Sequence, residues 1–251
     1  KLLDVFTNSE ILDVTPFIEE ARLHKSVDEI KKTKRAIAIT EAALENVLPK
    51  IVVGMTELEV KSLLEYELKK LGAERIAFDT LVLTGKNSAL PHGVSADSKI
   101  AKGDFLLFDF GVYLDEYCSD ITRTFVIEEA TAEQEKIYQI VKEANEAAIA
   151  AVELGQPLQK IDLAAREVIE AAGYGDYFTH RVGHGLGLAV HEAPSIHHEN
   201  KDTISPGLLF TIEPGIYVPE IGGVRIEDNI YVHENGEVEV LTSYPKGLQY
   251  I

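Results

Sequence analysis

The sequence has a single cysteine, Cys118, among 251 residues, so no disulfide bond can form within the chain. A chain without an internal disulfide suits a reducing compartment, and we expect the protein to be cytoplasmic. No apolar run approaches the roughly 18 residues that a membrane-spanning helix needs, so we expect no membrane partner. The sequence also lacks a dinucleotide-type glycine motif and a phosphate-binding P-loop, which argues against a redox or phosphotransfer enzyme.

Basic residues are scarce as well. The chain has 24 Lys and Arg against 42 Asp and Glu, which gives a formal net charge of -18. Such a charge repels a phosphate backbone, so we expect no nucleic acid partner, while some of the acids remain available as cation ligands. With 45% hydrophobic residues, the chain is long enough to bury a full core within one large domain.

The order of the predicted elements repeats along the chain. Residues 1–25 lack sustained periodicity and contain Pro16, so we interpret them as an entry segment or linker. Capping-box pairs or an initial proline predict four helices, which begin at Ser26, Thr56, Thr131 and Pro157. Strand-like segments follow each helix pair, at residues 81–84, 105–127, 208–218, 224–232 and 238–241. This order predicts one pseudo-symmetric α+β domain over residues 26–251, with helices covering one face of a curved antiparallel sheet.

The stretch 105–127 places two acids, Asp109 and Asp120, inside apolar strand-like runs. If the intervening turn is centred between Leu114 and Asp115, the two carboxylates lie directly opposite each other, with backbones about 5 Å apart. Like charges at that distance oppose strand pairing. The pair could therefore share a proton, meet a basic side chain or bind a cation.

The second half of the chain has a matching acidic pair. Glu213 in FTIEPG and Glu227 in VRIEDN are symmetric about Glu220, so a hairpin there also brings two carboxylates together. If the two halves pack face to face, four carboxylates converge on one centre. Repulsion and desolvation would be prohibitive without bound positive charge, and two divalent cations would neutralise the four charges.

Histidines are concentrated in one glycine-rich segment, HRVGHGLGLAVHE, which contains His180, His184 and His191. Its glycines make an ordinary amphipathic helix unfavourable and allow close approach to a ligand. Neutral imidazoles ligate divalent metals, donate hydrogen bonds and shuttle protons. His92, in the loop before residue 103, is a fourth candidate for such a role.

At these residues the sequence resembles the pita-bread metallopeptidases, which include methionine aminopeptidases, Xaa-Pro aminopeptidases and Xaa-Pro dipeptidases (prolidases). The resemblance runs from about residue 26 to the end, and it implies the pita-bread fold and a dinuclear metal site. The segment VRIEDN, the tail LTSYPKGL and the histidine segment resemble the proline-peptidase branch. The implied metal ligands are Asp109, Asp120, His184, Glu213 and Glu227.

The resemblance also implies roles around the metals. Glu213 would accept a proton from the attacking water and pass it to the leaving nitrogen, which a tertiary proline amide requires. His180 and His191 would donate to the developing oxyanion, with His92 near the scissile bond. Arg225 would hold either the site carboxylates or a substrate group. The expected cofactors are two divalent ions, with manganese as the preferred metal. Cobalt, zinc or iron would also suit mixed carboxylate and imidazole ligands.

We therefore expect a metal-dependent peptidase that hydrolyses the N-terminal Xaa-Pro bond of dipeptides or short proline-containing peptides. Two alternatives stay open: a methionine aminopeptidase, which shares the ligands but usually has a Gln-containing context before the last glutamate, and a catalytically silent binding module on the same fold. Residues 1–25 resemble the tail of a smaller N-terminal domain and its linker. A homodimer is compatible with the sequence, which does not distinguish dipeptidase from aminopeptidase action.

Overall fold

The computed structural model describes residues 12–90 and 93–251. Within these residues the helices come in two consecutive pairs, as expected, preceded by a further short helix. The helices are α1 (Thr15–Leu23), α2 (Val27–Val47), α3 (Glu57–Lys70), α4 (Ala132–Ala150) and α5 (Gln159–Ala171). None of the helices in the described part of the chain is long and apolar enough to cross a membrane.

Three helix starts follow from the capping boxes that the sequence predicts. In α2, the Ser26 hydroxyl accepts from the Glu29 backbone N–H, and the Glu29 carboxylate accepts from the Ser26 N–H at 2.7 Å. Thr56 caps α3 and Thr131 caps α4 in the same reciprocal way. Each box satisfies backbone N–H groups that the first helical turn leaves unpaired, so the starts are fixed locally.

The strands of the described residues are β1 (Arg75–Ile76), β2 (Leu81–Thr84), β3 (Phe105–Phe110), β4 (Val112–Leu114), β5 (Tyr117–Cys118), β6 (Ile121–Val126), β7 (Gly183–Gly185), β8 (Glu192–Ile196), β9 (Leu209–Ile212), β10 (Gly215–Val218), β11 (Gly222–Arg225), β12 (Asp228–Val232) and β13 (Val238–Val240). They form two main antiparallel sheets, one in each half. The first has the order β2-β3-β6 and the second the order β13-β12-β9-β7-β8, while β1-β4-β5 and β10-β11 form smaller sheets.

Each half buries its helix pair against its own sheet. In the first half, Leu44 of α2 and Leu64 of α3 share a core with Phe108 of β3. In the second half, Val141 of α4 and Ile161 of α5 share another core with β9 and β12. The helices therefore cover the outer faces, and the inner faces of the two halves are left to meet each other.

The predicted register of the first hairpin is wrong by two residues. Asp109 lies opposite Thr122, not opposite Asp120, and the same register continues to the pair Leu114 and Tyr117. The turn therefore consists of residues 115 and 116, whose φ angles of 50° and 68° are both positive. Two positive φ angles match the right-handed twist of a two-residue hairpin. The half-buried Leu114 stays in its strand instead of entering the turn.

Four helices or strands in residues 12–90 and 93–251 were not predicted: α1, β1, β7 and β8. Pro16 lies in the first turn of α1, where its missing N–H costs nothing, so part of the segment expected to be a linker is helical. The strand β7 was not predicted because two of its three residues are glycines. A Cβ atom on Gly183 would lie 1.9 Å from the Thr211 carbonyl oxygen, and one on Gly185 would lie 2.1 Å from that of Ala193. The glycines thus let neighbouring strands approach, a requirement that strand propensity does not reveal.

The corrected turn can be tested by Glu116→Gly. A left-handed conformation strains a residue with a side chain, so the change should raise the free energy of unfolding by about 0.5–1 kcal/mol. The lost ion pair with Arg75 is exposed and 3.6 Å long, so its loss should matter little. The measurement is urea unfolding followed by circular dichroism.

The control for this experiment is Glu129→Gly. Glu129 is also exposed and paired with a lysine, but its φ is not positive, so glycine there should lower stability. Equal destabilisation by both changes would contradict the turn geometry.

Candidate metal centre

The two aspartates enter the site from neighbouring strands of the first half. Asp109 lies near the end of β3, and Asp120 directly precedes β6. The corrected register offsets them along the hairpin, so the pair is staggered. The Asp120 side chain is 6% exposed and that of Asp109 16% exposed, which leaves both with little access to water.

The two glutamates enter from the second half at matching positions. The register Gly215 to Arg225, continued by Ile212 to Asp228, is the one predicted for the Glu213 and Glu227 hairpin. Their own backbone N–H groups bond elsewhere: Glu213 N–H donates to the Val182 carbonyl at 2.7 Å, and Glu227 N–H donates to the Thr122 carbonyl at 3.1 Å. The second bond joins the two halves at the site.

His184 of β7 brings an imidazole between the acidic pairs. Its Nε2 atom lies 3.2 Å from Glu213 Oε1 and 3.7 Å from Asp120 Oδ2. Single ligand atoms of Asp120, His184 and Glu227 all lie within 4.8 Å of one another. The His184 Nδ1 atom lies 3.1 Å from the Gly185 carbonyl oxygen, so Nδ1–H could donate to that carbonyl whenever the Nε2 lone pair holds a metal ion.

Burial makes this cluster electrostatically unfavourable by itself. Burial, together with nearby carboxylates, holds the pKa of Asp120 and that of Glu227 well above their usual ranges. Burial also raises the pKa of Asp109, although the Arg225 guanidinium opposes it. For Glu213, burial opposes ionisation, but the hydrogen bond and charge of His184 lower its pKa to about 2. The four carboxylates can therefore all be ionised only with added positive charge.

These side chains line one cavity of about 300 Å³. All five expected ligands are present, together with His180, His191 and Arg225, and an apolar wall completes the lining. The wall consists of Phe78, Leu81 and Val190, and Arg181 lies beside it. The structure thus brings together every predicted site residue that lies in its described part.

The side chains present fit a bound divalent cation. Glu227 Oε1 is buried and has no hydrogen-bond partner among the described residues, while Oε2 accepts from the Thr122 hydroxyl at 2.7 Å. An orphaned buried carboxylate oxygen is costly unless something positive faces it. Carboxylate oxygens with one imidazole nitrogen are the ligands expected for manganese, iron, cobalt or zinc.

Arg225 connects Asp109 to His180 through Tyr217, a residue that the sequence did not predict for the site. Arg225 Nη2 donates to Asp109 Oδ2 at 2.5 Å, and Nη1 donates to the Tyr217 hydroxyl at 2.8 Å. The Tyr217 hydroxyl lies 2.8 Å from His180 Nε2. Through Nε, Arg225 also donates to the Thr122 hydroxyl. No local motif marks Tyr217, because its relevance depends on the strand pairing that places it beside Arg225.

The remaining predicted histidines differ in their surroundings. The His191 ring packs edge-on against the His184 ring, with the centroids 4.3 Å apart. Burial lowers the pKa of His191, and the nearby His184 lowers it further. Burial also lowers the pKa of His180. His92 lies outside the described residues. The two sides of its loop are held by Glu57, whose carboxylate accepts from the backbone N–H groups of Thr84 at 2.7 Å and Ala96 at 2.8 Å.

Known proteins are similar to this chain in both sequence and fold. A family model described as metallopeptidase family M24 matches residues 31–234. The Bacillus subtilis (strain 168) protein YkvY is 49% identical over 231 residues, which are 92% of this chain and 63% of YkvY. The chain thus spans less than two thirds of that relative's length.

Two solved structures are similar over nearly the whole chain. An X-Pro aminopeptidase from Thermotoga maritima MSB8 has a TM-score of 0.95 and 39% identity, covering 100% of this chain and 71% of its own. A Xaa-Pro dipeptidase from Bacillus anthracis has a TM-score of 0.94 and 43% identity, covering 97% of this chain and 68% of its own. These likenesses confirm the predicted pita-bread fold and the resemblance to the proline-peptidase branch.

The crowding of carboxylates predicts opposite effects of Glu227→Gln with and without metal. In the metal-free protein, the neutral amide removes a repulsive charge, so the melting temperature should rise by about 2–4 °C, the equivalent of about 1 kcal/mol. Added Mn²⁺ should raise the melting temperature of the wild type and much less that of the variant. Both are measured by differential scanning calorimetry.

The control for this experiment is Glu220→Gln, an exposed glutamate in the same hairpin, which should behave like the wild type in both conditions. A lower melting temperature of metal-free Glu227→Gln, or an undiminished gain with Mn²⁺, would contradict the proposed crowding.

Proposed function

The chain belongs to metallopeptidase family M24, and we propose that it hydrolyses the N-terminal Xaa-Pro bond of dipeptides or short peptides. One observation carries the proposal: four carboxylates and an imidazole from both halves line one cavity, beside Arg225 and two further histidines. The likeness to an X-Pro aminopeptidase and a Xaa-Pro dipeptidase supports the choice of substrate.

We assign metal binding to Asp109, Asp120, His184, Glu213 and Glu227, with Mn²⁺ as the preferred ion and Co²⁺, Zn²⁺ or Fe²⁺ as substitutes. These residues would hold two divalent cations, whose Lewis-acid chemistry would acidify a water molecule and polarise the carbonyl of a scissile bond. The donor set supports this assignment, because it combines hard carboxylate oxygens with one imidazole nitrogen.

Glu213 moves the proton in this proposal. Its Oε1 atom accepts from the Thr211 hydroxyl at 3.3 Å and faces His184, while Oε2 has no hydrogen-bond partner in residues 12–90 and 93–251. Oε2 is therefore the atom that can take a proton from attacking water and return it to the leaving group. A proline nitrogen needs that proton because it leaves as an amine.

We assign different roles to His180 and His191. His180 was expected to donate to the oxyanion, but both its ring nitrogens already have partners, at the Arg181 carbonyl and the Tyr217 hydroxyl. His180 is instead assigned to orienting Tyr217 and, through it, Arg225. His191 remains at the cavity wall as the neutral donor to the developing oxyanion. The wall of Phe78, Leu81 and Val190 would shield an apolar side chain or proline ring from water.

A peptide panel tests the substrate. After loading with Mn²⁺, the protein should cleave Ala-Pro and Ala-Pro-Ala faster than Met-Ala and Ala-Ala, measured as kcat/KM from released amino acids. The ratio of Ala-Pro to Ala-Pro-Ala distinguishes dipeptidase from aminopeptidase action. Faster cleavage of Met-Ala would favour a methionine aminopeptidase, and no cleavage by a protein with bound Mn²⁺ would favour a binding module.

Asp109→Asn tests the assigned site. The change keeps the shape of the side chain but removes a charged ligand, so kcat should fall by at least about 1000-fold. The matched control is Asp79→Asn, an exposed aspartate paired with Lys61, which should keep wild-type kcat. Near wild-type turnover by Asp109→Asn would remove the support for this site.

A further inference from the structure

A buried ionic cluster lies directly behind the glutamates. Arg123 of β6 is 1% exposed, and its guanidinium donates to the backbone carbonyl of Glu227 at 2.6 Å and to Asp228 Oδ1 at 2.7 Å. The same guanidinium donates to the Tyr244 carbonyl at 2.8 Å. Arg123 therefore connects the first half, the backbone of a predicted metal ligand and the C-terminal tail.

Asp228 has a second basic partner besides Arg123, and this partner, Lys246, lies in the C-terminal tail. The other oxygen of Asp228, Oδ2, is buried and accepts no hydrogen bond of regular geometry in the described part of the chain. The ammonium of Lys246 lies 3.0 Å from that oxygen. Lys246 belongs to the segment LTSYPKGL, which the proposed chemistry does not use. Without the Lys246 ammonium, this buried oxygen of Asp228 would have no positive partner, which would lower the stability of the fold.

Lys246 also fixes the orientation of Asn145 on α4. The lysine ammonium donates to Asn145 Oδ1 at 2.8 Å. The amide nitrogen then faces the other way and donates to the carbonyls of Ile212 at 3.1 Å and Ile226 at 3.3 Å. These two residues immediately precede the two glutamates in the chain. One amide thus joins the end of β9 to the connection between β11 and β12, directly before each of the two glutamates.

The tail is itself anchored by contacts away from the site. The Glu41 carboxylate of α2 accepts from the backbone N–H of Tyr244 at 2.7 Å and from the Ser243 hydroxyl at 2.6 Å. The Tyr138 hydroxyl donates to the Lys246 carbonyl at 3.3 Å. Lys246 is therefore held by the tail in a fixed place relative to α2 and α4, and its ammonium reaches Asp228 from there.

We propose that Lys246 is a positioning residue for Glu213 and Glu227, and that the C-terminal tail thereby sets the affinity of the site for divalent cations. Lys246 acts through Asn145, whose amide holds the backbone before both glutamates, and through Asp228, whose charge it balances beside Glu227. The inference rests on the proposed metal centre, but it assigns to the tail a task that the peptidase activity does not specify.

The test measures Mn²⁺ binding rather than turnover. Protein stripped with a chelator is titrated with Mn²⁺, and free Mn²⁺ is counted by its paramagnetic resonance signal. Lys246→Met keeps most of the side-chain length but removes the ammonium. It should weaken Mn²⁺ binding by about 10-fold to 100-fold, the usual effect of losing a residue that orients metal ligands. Lys246→Arg keeps the charge and should restore the affinity to within about threefold of the wild type.

Lys142→Met is the matched control. Lys142 lies on the same helix as Asn145, is paired with Glu146 at 2.9 Å, and has a side-chain exposure of 27% against 23% for Lys246. Its loss changes the net charge equally but touches neither glutamate, so Mn²⁺ affinity should stay at the wild-type value. Equal weakening by both methionine variants, or wild-type affinity of Lys246→Met, would overturn the proposal.

A second variant covers the case that Lys246→Met does not fold. Glu41→Ala removes the tail's contact with α2 at the protein surface and should weaken Mn²⁺ binding in the same direction, by several-fold. Wild-type affinity of folded Glu41→Ala would then overturn the proposal. The outcome is separate from the proposed function: a wild type that binds Mn²⁺ but cleaves no Xaa-Pro peptide refutes the substrate only, whereas a wild type that binds no Mn²⁺ refutes the metal centre.

Discussion

Four carboxylates with little access to water, gathered around one imidazole, are the constraint on which this structure depends. Asp109 and Asp120 come from one half of the chain, Glu213 and Glu227 from the other, and His184 stands between them. Burial and mutual repulsion hold the pKa values of Asp120 and Glu227 well above their usual ranges, so the arrangement costs free energy until positive charge is present. The cost of assembling the site is therefore coupled to cation binding.

The repeated fold provides the means of assembling such a site. Each half covers the outer face of its sheet with two helices, which leaves the inner faces for polar side chains from neighbouring strands. Arg225 pairs with the predicted ligand Asp109, and Arg123 and Lys246 balance the charge of Asp228, which is not one of the predicted ligands. Lys and Arg are outnumbered by Asp and Glu in this chain, yet these three basic residues lie in or directly behind the site.

The sequence predicted local features well and long-range contacts unevenly. Capping boxes placed the starts of α2, α3 and α4, because they satisfy nearby backbone groups. The glutamate hairpin had the predicted register, whereas the aspartate hairpin was wrong by two residues because its turn uses two positive φ angles without glycine. Tyr217, Asn145 and Lys246 could not have been found, since their roles arise from contacts between elements distant in the chain.

The central claim is that this cavity is a cation site built from both halves of the chain. The most direct measurement is anomalous X-ray diffraction from crystals grown with Mn²⁺, collected above and below the manganese absorption edge. We expect manganese peaks among the side chains of Asp109, Asp120, His184, Glu213 and Glu227. Well-ordered side chains at this cavity without an anomalous peak, under saturating Mn²⁺, would contradict it.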